Sequence, residues 1–237
     1  GGFAIETDHR GETRRYRANR VILATGGTHR FNLLGIPGED LPHVSHEFVE
    51  PHRYFRQRVL VVGGRNSAVE AAIRCHRCGA KVVMSYRGIK FDPDTIKFWI
   101  LPEITGMIDR GEITLHRGTI PREITTKAVT LERTDNGERF EVEADFVLLL
   151  TGYIADMSLY KSAGVKLLQP GDRPEIDEST MESSIPGLYV AGTAIGGTQQ
   201  TYRVFIENCH VHTERIMAAL SGARSNAASK RYDRPES

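Results

Sequence analysis

The chain has 237 residues, 40% of them hydrophobic and 26% charged, which is the composition of a globular protein with room for one large domain or two ordinary ones. Lys and Arg number 31 against 30 Asp and Glu, a formal net charge of +1, so no bulk field draws the chain to nucleic acid or to an anionic membrane. No apolar run approaches the roughly 20 residues a membrane span needs, and the start, GGFAIETDHRGE, reads as strand and turn rather than as a secretory signal. Three cysteines, Cys75, Cys78 and Cys209, are too few for a disulfide scaffold and suit a reducing compartment, so a cytoplasmic location is expected.

Taken in chain order, residues 3–7 and 14–18 predict a hairpin around His9, Arg10 and Gly11, and RVILATGG at 20–27 predicts a fully buried strand running into glycines. The stretch 33–52 is rich in Pro, Gly and His with no period, and reads as a linker. Next comes a βαβ unit: strand 58–62, a glycine turn at 63–65, a helix from about Ser67 to Cys78, Gly79 as its C-terminal stop, and strand 81–86. Such a unit requires a parallel sheet. A helix is predicted over 94–110, kinked or split at Pro102, followed by strands near 112–117, 127–133 and 138–143 and a buried strand at 145–153. Beyond it the sequence predicts a strand at 187–192, a helix from about Tyr202 to Leu220 and, from Gly222, a polar disordered tail.

The turn VLVVGGRNSAVEAA at 59–72 carries the chemistry. The two negative charges of a dinucleotide pyrophosphate are best held at a helix N-terminus, where backbone N–H groups lack partners. Gly63 supplies the tight turn, Gly64 keeps the backbone bare, and Ala68 is the small residue that lets the helix pack on the strand. Arg65 stands where the G-x-G-x-x-G/A template has its second glycine; it is either a phosphate partner or an exposed turn residue. Asn66 and Ser67 can cap the helix or bond the pyrophosphate. NAD enzymes place an acidic residue about 20 residues past the turn to accept from the ribose 2′-OH. Here that strand ends in Tyr86 and Arg87, with Lys90 beyond, so a 2′-phosphate is favoured and NADPH is expected over NADH.

The CxxC formed by Cys75 and Cys78 falls at the C-terminal end of its helix, where the dipole raises a thiol's pKa, and is read as ordinary helix. His29, His43, His46 and His52 match no compact ligand spacing, so no metal is expected.

A nucleotide block bracketed by two glycine-ended strands, together with EPHRYFRQRVLVVGGRNSAVEAA, KFWILPE at 97–103, TGY at 151–153, GLYVAGT at 187–193 and FIEN at 205–208, resembles the YpdA-type bacillithiol-disulfide reductases, a thioredoxin-reductase-like family. The resemblance implies an α/β two-dinucleotide-binding flavoprotein fold in which an NADPH-binding domain (49–146) is inserted into an incomplete FAD-binding domain (1–48 with its linker, then 147–222), ahead of the tail at 223–237. It implies NADPH passing hydride to FAD and on to a low-molecular-weight disulfide. FAD would be held by Thr25, Gly26, Gly192, Thr193 and Arg203, with Thr193 where relatives often carry Asp, and the helix opened by Thr201, Tyr202 and Arg203 would point its N-terminus at the flavin ring. The family's first nucleotide motif is missing ahead of residue 63, so a fragment lacking its first ~85 residues is expected. The catalytic group is not assigned; Cys209 is the one candidate thiol near that helix start, and as an alternative it is a small buried hydrophobe. Two alternative functions stay open: a flavin monooxygenase, and, for this chain alone, a nicotinamide-binding module that turns nothing over. Self-association is left open as well.

Overall fold

The structure is a computed structural model that describes residues 2–93, 95–199, 204 and 206–222. The chain divides into two compact units, one of Gly1–Arg30 with Tyr153–Ser237, the other of Phe31–Gly152. The first unit is discontinuous in sequence, with the second between its two segments. Residues 31–48, read as flavin-side segment and linker, belong to the inserted unit, as do 147–152.

The inserted unit is built on a five-stranded sheet ordered Val44–Ser45, Phe146–Leu149, Arg58–Val62, Lys81–Tyr86, Thr114–Arg117, with parallel pairing throughout. The central strands are runs of β-branched and aliphatic residues because both faces are covered. Val59, Val61, Met84 and Leu148 point to the side where helices Asn66–Arg77 and Ile100–Asp109 pack; Leu60, Val62, Val147 and Leu149 point to the other, against Ile124, Val129, Leu131 and Val142. Each such side chain, withdrawn from water, contributes about 2 kcal/mol before the entropy of ordering is charged against it.

The second face is formed by an antiparallel sheet, Arg139–Glu143, Ala128–Arg133 and Thr119–Ile124. Thr119–Ile124 was not expected as a strand. It carries Pro121, which lacks a ladder donor, and it survives because it lies at the sheet edge, with a register irregularity opposite Thr130 and Leu131.

The stretch 33–52 is not an unstructured linker. Glu39 accepts the N–H groups of Leu34 at 2.8 Å and Gly35 at 2.6 Å and bonds His46 Nε2 at 3.0 Å, which draws the loop into a turn; Ile124 N–H donates to Pro37 O at 2.9 Å. Burial acts to raise the Glu39 pKa, but the His46 bond and these N–H groups outweigh it and hold the carboxyl below its ordinary value. A carboxylate gathering several amides has no signature in hydrophobic period, which is why the ordering was invisible.

Pro102 does not kink its helix. The helix is Ile100–Asp109, so Pro102 occupies the first turn, where a missing N–H breaks no intrahelical bond.

In the other unit, Phe3–His9 and Glu12–Ala18 form the expected hairpin. Val21–Leu23 pairs in parallel with Leu188–Val190, but Ile22 is 48% exposed, contrary to the fully buried strand expected, since among the described residues the two strands form a sheet of their own. Behind them Tyr160, Met181, Leu188, Val190 and Ile216 make a second core. The last described helix is His210–Ser221, preceded by a turn at Ile206–Asn208; Val204 is not helical, and the expected start at 201–203 and the tail from 223 lie outside the described residues. Among the described residues no helix is long and apolar enough to cross a membrane.

Candidate nucleotide-binding sites

Strand Arg58–Val62 delivers the chain to Gly63 at the C-terminal end of the sheet, and the helix starts three residues later at Asn66. Gly63 has φ +139, and a Cβ on it would lie 2.5 Å from Leu150 O and 2.8 Å from Ala68 Cβ, so glycine is required by conformation and by space. Its N–H donates to Ser85 O at 3.0 Å, which ties the turn to the neighbouring strand. Ala68 is fully buried under it. Arg65 is the N-cap residue, with φ −114 and ψ −175, extended backbone that any residue adopts; the template's second glycine is therefore not demanded here, and the Arg65 side chain makes no cap bond. Ser67 is exposed on the first turn, which contains no acidic residue.

Two features of this turn went unread in the sequence. A Cβ on Gly64 would stand 2.3 Å from the ring of Tyr86, and one on Gly88 2.6 Å, so the phenol ring fills the space over both glycines while stacking on Phe91 at 5.5 Å. The Tyr86 ring thus sets the loop 87–91 against the glycine turn. Asn66, expected to cap its helix or bond the pyrophosphate, uses Oδ1 to accept the Lys97 N–H at 2.7 Å instead.

Parallel register aligns Val62 with Ser85, which carries Gly64 and Arg87 to the same sheet end. Arg87 and Lys90 are exposed, and neither has an ion-pair partner among the described residues. Arg117, in register with Tyr86 on the next strand, donates to Ile89 O at 3.3 Å across this loop.

In the other unit, the glycine-ended strands meet side by side. Thr193 Oγ1 accepts the Gly27 N–H at 3.1 Å, Thr25 Oγ1 is 3.0 Å from the Tyr160 hydroxyl, and Ala191 N–H donates to Leu23 O at 2.9 Å. Gly26 and Gly192 both have positive φ, and a Cβ on Gly192 would meet nothing within 4 Å. Burial pushes the Tyr160 hydroxyl pKa up, with the Thr25 bond acting against it. The Gly192 N–H donates to Nδ1 of His212, a fully buried imidazole whose pKa burial, then Arg215 and His210, push down to about 4. His212 is therefore neutral, with its proton on Nε2. Helical spacing shows His212 on the inner face of its helix, but nothing local connects it to Gly192. Of the expected flavin contacts, Thr25, Gly26, Gly192 and Thr193 are brought together; Arg203 lies outside the described residues.

Cys75 is fully buried on helix Asn66–Arg77 and desolvation pushes its pKa up to about 12; Cys78 is that helix's C-cap residue. Cys209 is the residue before helix His210–Ser221 and packs on the core containing Val190 and Ala194. Of the histidines, His29 faces Asp156 at 3.4 Å, His43 Nε2 lies 3.1 Å from Thr125 O and His52 pairs with Glu50 at 2.5 Å. Among the described residues no group of three or more His, Cys, Asp or Glu side chains could hold a metal ion.

Residues 1–192 match the family model described as pyridine nucleotide-disulphide oxidoreductase. The chain is 37% identical to the bacilliredoxin reductase Bdr of Bacillus subtilis (strain 168) over 219 residues, 92% of this chain and 65% of that protein, and so spans about two thirds of the relative's length. Among solved structures it is similar to the bacillithiol disulfide reductase Bdr (YpdA) of Bacillus cereus, with 36% identity, TM-score 0.85 and coverage of 93% of this chain and 67% of that one. It is also similar to the Bdr (YpdA) of Staphylococcus aureus, with 31% identity, TM-score 0.80 and coverage of 93% and 70%. The fold is the thioredoxin-reductase-like two-unit α/β architecture with a parallel sheet. The chain belongs to the pyridine nucleotide-disulphide oxidoreductase family.

Proposed function

We propose that the protein is an NADPH-dependent flavoprotein reductase of a low-molecular-weight disulfide, with NADPH held by the unit Phe31–Gly152 and FAD by the unit of Gly1–Arg30 and Tyr153–Ser237. The observation that carries this reading is the Gly63 turn, a glycine demanded by conformation and space at the C-terminal end of a central parallel strand, opening onto a helix N-terminus with no acidic residue in its first turn. The residues suit a dinucleotide: Gly63 and Ala68 make the tight turn under the helix start, Gly64 accommodates the Tyr86 ring that sets loop 87–91 beside it, Ser67 is exposed on the first turn, Arg65 stands at the helix entrance, and Arg87 with Lys90 offers positive charge, unpaired among the described residues, for a 2′-phosphate. Asn66 supports the turn through its bond to Lys97 rather than as a direct ligand.

For the flavin, the bond from Gly27 to Thr193 draws two glycine loops together, and the open space at Gly192 leaves bare backbone beside them. When bound, NADPH supplies hydride and FAD relays the electrons to the acceptor. Thr193 holds that pair of loops together, Thr25 ties the first of them to Tyr160, and His212 fixes the Gly192 amide while staying uncharged. The acceptor is a small disulfide like the bacillithiol disulfide that gives the similar Bacillus cereus reductase its name. The three free cysteines suit a reducing compartment and so support a cytoplasmic location.

Titration of the purified protein with NADPH and NADH tests this. NADPH binds at least tenfold more tightly, and Arg87→Ala removes that preference by weakening NADPH alone. Equal affinity for the two nucleotides in the unaltered protein overturns the cofactor assignment. Absorbance bands near ~370 and ~450 nm report retained flavin, and NADPH consumption that depends on added disulfide separates a reductase from a flavoprotein that passes its electrons to oxygen.

A further inference from the structure

The segment Lys97–Phe98–Trp99 lies between the loop that carries Arg87 and Lys90 and helix Ile100–Asp109, and it is anchored to the glycine turn's own helix. Asn66, the first residue of that helix, accepts the Lys97 N–H at 2.7 Å; the Lys97 carbonyl accepts the N–H groups of Ile100 at 3.1 Å and Leu101 at 3.2 Å. Lys97 is thereby fixed from both sides, beside the start of two helices. Its ammonium rests over the Trp99 indole, 5.3 Å from the ring centroid, and Trp99 meets Phe98 edge-on at 5.1 Å. Both aromatic rings are exposed, and Lys97 has no carboxylate partner among the described residues.

This placement runs against ordinary helix electrostatics. A helix N-terminus carries a partial positive charge and favours acidic neighbours. Here the N-cap is Arg65, the first turn has no acidic residue, and Asn66 fixes a lysine next to it. Positive charge gathered on a positive helix end is unfavourable until an anion arrives, so the arrangement is suited to a ligand with more than one negative charge. The cation–π contact at an exposed site is weak enough to be given up for a phosphate.

We propose that Lys97 is a pyrophosphate-binding cation of the nucleotide site and that the Trp99 indole is its resting position, left when the nucleotide binds. The assignment rests on the nicotinamide-nucleotide reading of the Gly63 turn. It differs from that of Arg87 in one measurable respect: the pyrophosphate is common to NADPH and NADH, so Lys97 contributes to both, whereas a 2′-phosphate cation contributes to NADPH alone.

Trp99 is the chain's single tryptophan, so its emission reports the site without labelling. Dissociation constants for NADPH and NADH are measured with the purified protein and with its Lys97→Met and Lys97→Arg variants, each checked for an unchanged melting temperature. The expected result is a saturable change in Trp99 emission with either nucleotide. Lys97→Met raises both constants by the same factor, about fivefold to tenfold, and Lys97→Arg restores them to within about twofold. Unchanged constants in Lys97→Met, or a change in NADPH alone, overturns the role of Lys97 while leaving the nucleotide reading intact. Failure of the unaltered protein to bind either nucleotide overturns both.

Discussion

The backbone N–H of Gly192 donates to Nδ1 of His212 at 3.0 Å, which joins a glycine turn to the interior face of the last described helix through a side chain with no solvent exposure. Accepting that bond requires the unprotonated nitrogen. Burial, with Arg215 and His210 nearby, keeps it so by lowering the imidazole pKa to about 4.

The consequence is an acid limb in stability. An unfolded histidine takes up its proton near pH 6.5, whereas the folded one resists until about 4. Between those values the unfolded state binds more protons, so this group's effect is absent above about pH 6.5 and stability falls as the pH drops toward 4, by about 3 kcal/mol in all. Chemical denaturation from pH 7.5 to 4 should show the loss. A His212→Gln variant, which keeps an acceptor but does not titrate, should lose less across that interval; an unchanged slope removes His212 as the cause.

Thr193 should tolerate serine and not valine. Its Oγ1 accepts the Gly27 N–H at 3.1 Å. Serine keeps the acceptor, while valine leaves a part-buried N–H unpaired at a cost of about 1–3 kcal/mol. Urea midpoints of the two variants measure it, with Thr193→Val expected to lie well below both the parent and Thr193→Ser. Equal midpoints would mean that water satisfies Gly27 as well as Thr193 does.

These residues also mark what could and could not be read from the sequence. The Gly63 turn was legible because its causes are adjacent: a β-branched run, two glycines and a small residue at the helix start all act within ten positions. The partners of that turn were not. Tyr86 covers Gly64 from 22 positions away and Asn66 binds Lys97 across 31, contacts that only the folded sheet creates. Thr119–Ile124 was hidden by Pro121, whose lost donor is tolerated at an edge. Glu39 ordered a loop by collecting amides, a mechanism without periodicity. On the flavin side, Thr25, Gly26, Gly192 and Thr193 came from a resemblance in two strand endings, and His212, 20 positions beyond Gly192, had no motif to announce it.

The fit of Tyr86 over Gly64 predicts non-additive substitutions. Gly64→Ala drives a methyl to within 2.3 Å of the Tyr86 ring and should weaken NADPH binding about tenfold or more while costing about 1–3 kcal/mol of stability, as overpacking does. Tyr86→Ala removes the obstruction, so in the double variant the alanine at position 64 should cost little further. The interaction energy from the four-protein cycle should reach about 1 kcal/mol or more in the compensating direction. Additive costs would show that the ring and the turn are independent.

Cys75 should be inert in the native protein and Cys78 should not be its redox partner in turnover. Desolvation lifts the Cys75 thiol to about 12, so at pH 8 only about one molecule in ten thousand carries the nucleophilic thiolate, and full burial closes access as well. A colourless-to-yellow thiol titration of the folded chain should therefore leave Cys75 unmodified until denaturant is added, with peptide mapping to assign the labelled sites. A Cys75→Ala, Cys78→Ser variant in an enzyme carrying the family's full length should retain disulfide-dependent NADPH oxidation. Its loss, with the fold and NADPH affinity preserved, would return this pair to the chemistry and displace the reading of Cys75 and Cys78 as ordinary residues of helix Asn66–Arg77 and its C-cap.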